Sequence, residues 1–126
     1  MTDTPQTDRS AYERGLEVAK QVAGDVRSPR LDKDLQKLII QYAFGEVWSR
    51  PGLDINSRRL ISLSMTLAGH HLDEFKLHTR FALAGGMDRS VIKELILQSA
   101  IYCGVPAALD AFRAVEEIYK ELDEKA

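Results

Sequence analysis

Two histidines and a carboxylate share one helical stripe in this chain: His71, Glu74 and His78, spaced by three and four residues. Side chains at those spacings stand on one face of a helix. Imidazole is the side chain whose ordinary pKa lies nearest neutrality, so a His paired with a carboxylate can move protons at pH 7. The same residues also read as a solvated polar face, with His70 beside His71 at a helix junction. His78 differs, because Phe75, Leu77, Phe81 and Ala82 surround it in sequence. An imidazole among apolar neighbours is either a satisfied core group or a working one. A metal site is a third reading, since His and Glu are ordinary ligands. Three ligands strung along one helix are too spread for one ion without outside help, and no second cluster accompanies them.

A second group lies upstream. Glu46 follows Phe44 and Gly45 at the end of an apolar stretch, where a carboxylate is costly unless paired. The loop Trp48-Ser49-Arg50-Pro51-Gly52-Leu53 comes next, then Arg58 and Arg59. A guanidinium fork can clamp a substrate carboxylate through two parallel hydrogen bonds. It can equally form an internal Glu-Arg ion pair that locks the loop to the following helix. Trp48 reads as a packing anchor more readily than as a platform for substrate. A third group is Tyr102-Cys103-Gly104-Val105-Pro106-Ala107-Ala108. Its lone thiol has no basic neighbour in sequence and reads as a small buried hydrophobe. The backbone N–H groups after Gly104 could receive an anion, a weak signal on its own.

The elements that must position these groups are helical, since no run alternates with period two. A first helix is expected over residues 10–23, started by Ser10 and stopped near Gly24, and 25–30 connects it to the next. A second runs from about Asp32 to Trp48, with Leu35, Leu38, Ile39, Tyr42 and Ala43 as its apolar stripe. Pro51-Gly52 punctuates the loop 49–54. A third helix starts near Asp54 or Asn56, carries Leu60, Leu63, Ser64 and Leu67 inward, and ends around Gly69. The fourth covers about 72–84 and closes at Gly85-Gly86. The fifth starts at Asp88 and reaches Tyr102 or Cys103. Pro106 opens a sixth that ends near Leu122. The two short connections predict antiparallel hairpins. The fold class is therefore all-α, a compact domain of about six helices over residues 10–126 behind a flexible arm at 1–9.

Composition narrows the partners. At 126 residues the chain is long enough for one core. Its 17 Lys and Arg stand against 19 Asp and Glu, and a net charge of -2 supplies no basic field for nucleic acid or membrane. No apolar run approaches the roughly 18 residues that span a bilayer. The polar, acid-bearing start MTDTPQTDRS reads as neither a secretory nor a transit sequence. One cysteine excludes an internal disulfide and a C-x-x-C pair, and suits the cytoplasm.

Taken together, these residues resemble the carboxymuconolactone decarboxylase family over about Tyr12 to Tyr119. The specific parts are Tyr42-Ala43-Phe44-Gly45-Glu46-Val47-Trp48-Ser49-Arg50-Pro51-Gly52-Leu53-Asp54, Ser57-Arg58-Arg59-Leu60, Asp73-Glu74-Phe75-Lys76-Leu77-His78 and Ile101-Tyr102-Cys103-Gly104-Val105-Pro106-Ala107-Ala108. The resemblance implies an AhpD-like helical fold in ring-like homo-oligomers, trimers or hexamers, with sites near subunit boundaries. It implies loss of CO₂ from 4-carboxymuconolactone in protocatechuate breakdown, with neither an organic cofactor nor a metal. A related branch uses C-x-x-C and a downstream His for peroxidase chemistry. Here that spacing reads His71-Leu72-Asp73-Glu74 followed by His78, so both redox thiols are missing.

On this reading His78 delivers a proton, oriented by Glu46 or Glu74, and Arg58 or Arg50 holds the substrate's second carboxylate. Tyr102 and His71 are secondary candidates for the oxyanion, and Trp48 and Val105 form an apolar wall for the departing carboxylate. Two other readings stay open: a relative acting on a different small acid or lactone, or as an antioxidant, and a non-catalytic helical oligomer.

Overall fold

The computed structural model describes residues 10–126. The expected arm at residues 1–9 lies outside the described residues. Six helices and no strand occur among them, and their contacts cluster into two units divided after Ile55. Among the described residues no helix is long and apolar enough to cross a membrane.

In the first unit, α1 (Ala11–Val22) begins where Ser10 accepts from the Glu13 N–H at 3.1 Å and its hydroxyl donates back to the Glu13 carboxylate at 3.0 Å. The second helix starts as expected at Asp32, whose side chain caps the Asp34 and Leu35 N–H groups. It is α-helical only over α2 (Lys33–Leu38) and continues as a π-helix over Ile39–Trp48. The π segment ends with the Ser49 N–H bonded five residues back to the Phe44 carbonyl at 3.1 Å. This corrects the expected stripe. Ile40, Phe44 and Gly45 are buried, Ile39 and Ala43 of the expected stripe pack beside them half-buried, and Leu35, Leu38 and Tyr42 are exposed.

The crossing of α1 with the π segment is built on two glycines. Gly15 lies against the Ile40 carbonyl and Gly45 against the Ala11 carbonyl, with no room for a Cβ at either. Residue numbers rise on one helix as they fall on the other, so the two run antiparallel. Ala19, Val22 and Phe44 close this core, with Trp48 packed on it.

The second unit holds α3 (Ile55–Ala68), α4 (Leu72–Ala84), α5 (Arg89–Cys103) and α6 (Val105–Lys125). Asp88 caps α5 by accepting from the Ser90 N–H at 3.1 Å, and Pro106 occupies the first turn of α6. Phe75, Leu63, Ile92, Ile96 and the alanines Ala107, Ala108, Ala111 and Ala114 fill the core. The small residues let α6 approach closely.

Ion pairs report the directions of these helices. Arg89, first in α5, holds Asp123 near the end of α6 through contacts of 2.7 and 3.3 Å, so these two run antiparallel. Lys76 pairs with Glu117 and Arg80 with Glu121, both steps ascending, so α4 and α6 run parallel. The sixth helix reaches Lys125, three residues beyond the expected Leu122.

Candidate active site

Helix α4 sets the spacing of the central pair. His78 Nε2 lies 3.7 Å from the Glu74 Oε2 one turn earlier. The His78 side chain is 21% exposed and the Glu74 side chain 60%, so an exposed carboxylate faces a half-buried imidazole. The Phe81 ring meets the imidazole edge-on at 5.4 Å between centroids. Burial pushes the His78 pKa below its ordinary value. Glu74 opposes that shift and the charge of Arg59 adds to it. Desolvation disfavours the imidazolium, and a nearby cation does the same. Burial and the Arg59 charge thus both favour the neutral imidazole.

Consecutive residues on α3 point about 100° apart, so Arg58 and Arg59 cannot share a role. Arg58 is half-buried, whereas Arg59 is only 5% exposed. Arg59 falls in phase with the buried Leu63 and Leu67 at four-residue steps, and its guanidinium reaches Gly85 at the end of α4. The inward stripe of α3 is therefore Arg59, Leu63 and Leu67, with Leu60 and Ser64 at its half-buried edge. The sequence signal for Arg59 was that spacing to two leucines.

The α3–α4 junction fixes the other two histidines. The His70 N–H bonds the Leu67 carbonyl at 3.2 Å and the His71 N–H bonds the Thr66 carbonyl at 2.9 Å. That paired closure places His70 in the left-handed region at φ 60. His71 occupies the cap position of α4 with an exposed side chain that caps nothing.

Tyr102 is 81% exposed and lines an open groove of about 950 Å³ with Cys103, Leu60, Ser64 and Met65. Cys103 is half-buried there rather than sealed in the core. Val105, expected as part of an apolar wall, is exposed.

In the first unit, Glu46 ends the π segment and pairs with Arg14 of α1 at 3.3 Å. That corrects the expectation of a Glu46 pair with an arginine of the following helix. Arg14 Nε also donates to the Gly45 carbonyl at 3.4 Å, which further accepts from the Ser49 hydroxyl at 2.6 Å. Trp48 packs on Phe44 with ring centroids 6.1 Å apart, the anchoring role expected of it. Arg50 is exposed in the loop that follows. Among the described residues no three His, Cys, Asp or Glu side chains converge as a metal-holding group.

Residues 33–117 match the model of the carboxymuconolactone decarboxylase family, and the chain belongs to that family. It is 37% identical over 122 residues to a 4-carboxymuconolactone decarboxylase of Acinetobacter baylyi, covering 91% of each chain. It is 31% identical over 124 residues to a nitrosuccinic acid decarboxylase of Metarhizium robertsii, covering 93% of this chain and 87% of that one.

Proposed function

We propose that this protein is a carboxy-lyase that removes CO₂ from 4-carboxymuconolactone and releases the β-ketoadipate enol-lactone. The observation that carries the reading is the Glu74–His78 pair, in a chain 37% identical to an enzyme named for that reaction.

The chemistry follows from the substrate. The bond from the ring carbon to the departing carboxylate breaks, and its electron pair flows through the unsaturated ring to the lactone carbonyl. The resulting enolate must be stabilised and then protonated on carbon. His78 supplies that proton. Burial weakens its hold on the proton, so the imidazolium formed beside a bound dianion is a strong donor. Glu74 orients the ring and offsets its positive charge. Arg58 clamps the carboxylate that is retained, with Arg50 as the loop alternative. Glu46, paired with Arg14, is the other candidate to orient His78. Tyr102 and His71 are the secondary donors toward the oxyanion, and Trp48 serves as an anchor. Nothing in these steps calls on an organic cofactor or a metal.

The chain works as a homo-oligomer of three or six copies in the cytoplasm. Supporting the assembly are large apolar side chains left open to water, Ile101 at 76% beside Tyr102, which is more than scattered exposure accounts for. The test is direct. Purified protein incubated with 4-carboxymuconolactone should consume the lactone with release of CO₂, and light scattering should give three or six chains per particle. No consumption at micromolar protein would overturn the substrate assignment.

A further inference from the structure

Glu74, His78, Phe81 and Gly85 fall at steps of four, three and four along α4, which puts them on one stripe. A carboxylate stands at one end of that stripe and a glycine at the other. Onto the glycine end comes a guanidinium from α3. A methyl group built on Gly85 would sit 2.5 Å from Arg59 Nη2 and 3.0 Å from Arg59 Cζ. The missing side chain makes the seat for this arginine, on the stripe that also carries the imidazole.

We propose that Arg59 is a positioning residue that acts on the reaction through His78, its buried guanidinium lying on Gly85 at the opposite end of the stripe from Glu74. The role rests on His78 being the group that moves the proton. Arginine suits the position because it stays charged even where burial lowers its pKa, as it does here. Within the second unit, the charges acting on the imidazole are Glu74 of its own helix and Arg59 of α3. The acids of α6 that reach α4 are engaged elsewhere, Glu117 with Lys76 and Glu121 with Arg80. The buried cation adds to burial, the larger cause, in favouring the neutral imidazole, and a dianionic substrate would bring the opposing charge. Proton uptake is thereby tied to occupancy of the site.

The test is an NMR titration of the His78 ring, assigned by its loss in His78→Gln, together with the pH profile of kcat/KM. Arg59→Gln should move the His78 midpoint upward, and the pH limb of kcat/KM with it. Arg59→Lys should restore most of the wild-type midpoint. Gly85→Ala, whose backbone φ of -81 tolerates a side chain, should displace the guanidinium and shift the midpoint in a folded protein. An unmoved His78 midpoint in both Arg59→Gln and Gly85→Ala would overturn the proposal. Because the ring titration is read without substrate, that outcome is separate from any failure of the decarboxylation itself.

Discussion

Glu74 and His78 stand one turn apart on α4 with 3.7 Å between carboxylate oxygen and imidazole nitrogen, the former exposed and the latter half-buried. Partial burial makes the imidazole reluctant to charge. Replacing Glu74 with Gln removes the influence that raises the His78 pKa, so the midpoint should fall further below its ordinary value. An exposed pair at this distance is worth at most about 1 kcal/mol, so turnover should drop no more than about fivefold. Steady-state kinetics and a His78 titration check both expectations.

The same imidazole ties stability to pH. The unfolded chain binds a proton at His78 with a pKa near 6.5, whereas the folded state binds it more weakly. Between the two values the unfolded state carries more protons, so stability rises with pH there. The contribution is present in full above about 6.5 and is lost as pH falls through the lowered folded-state value. Urea midpoints should therefore fall less between pH 7.5 and 5.5 in His78→Gln than in wild type. Equal losses would show that His78 is not the group responsible.

Glycine at the α1 crossing is a packing requirement. Gly45→Ala would drive a methyl into the Ala11 carbonyl, and Gly15→Ala would do the same at the Ile40 carbonyl. Neither neighbour is a side chain that can swing aside, so each change should cost about 1–3 kcal/mol or more. Gly52→Ala, which meets nothing within 4 Å, serves as the control and should be close to neutral. Thermal denaturation of the three variants distinguishes them.

His70 occupies a position that its counterpart one helix later gives to glycine. Helices α3 and α4 end with the same pair of backward hydrogen bonds, and the left-handed residue is His70 in one and Gly86 in the other. A side chain in that region costs about 1–2 kcal/mol, least for short polar or imidazole residues. His70→Gly should be neutral to mildly stabilising. His70→Val should destabilise by about 1 kcal/mol or more, since β-branching fits this region worst. Chemical denaturation measures both.

Much of the fold was legible because its punctuation is chemical. Ser10 and Asp88 start the helices they were expected to start, Asp32 caps the helix expected to begin near it, and Gly85-Gly86 and Pro106 stop and start theirs. The π-helix was not legible. Ile39 to Trp48 carries an apolar pattern that suits either winding, and the close approach of Gly15 and Gly45 to carbonyls of distant residues is invisible to local periodicity. At the site, the helical spacing of Glu74 and His78 sufficed to pair them. The partner of Glu46 did not follow from spacing, because Arg14 lies 32 residues away and only the α1 crossing brings it close. Arg59, expected as a carboxylate clamp or an ion-pair partner, is placed inside by its step to Leu63 and Leu67.

The central claim is acid–base decarboxylation with His78 as proton donor. It is tested most directly by measuring CO₂ released per 4-carboxymuconolactone consumed, for wild type and for His78→Ala at matched oligomeric state. One CO₂ per lactone, with turnover in His78→Ala reduced by about 10²–10⁴-fold in an unchanged assembly, is the predicted result. Undiminished turnover in His78→Ala, or lactone consumption without CO₂, would contradict it.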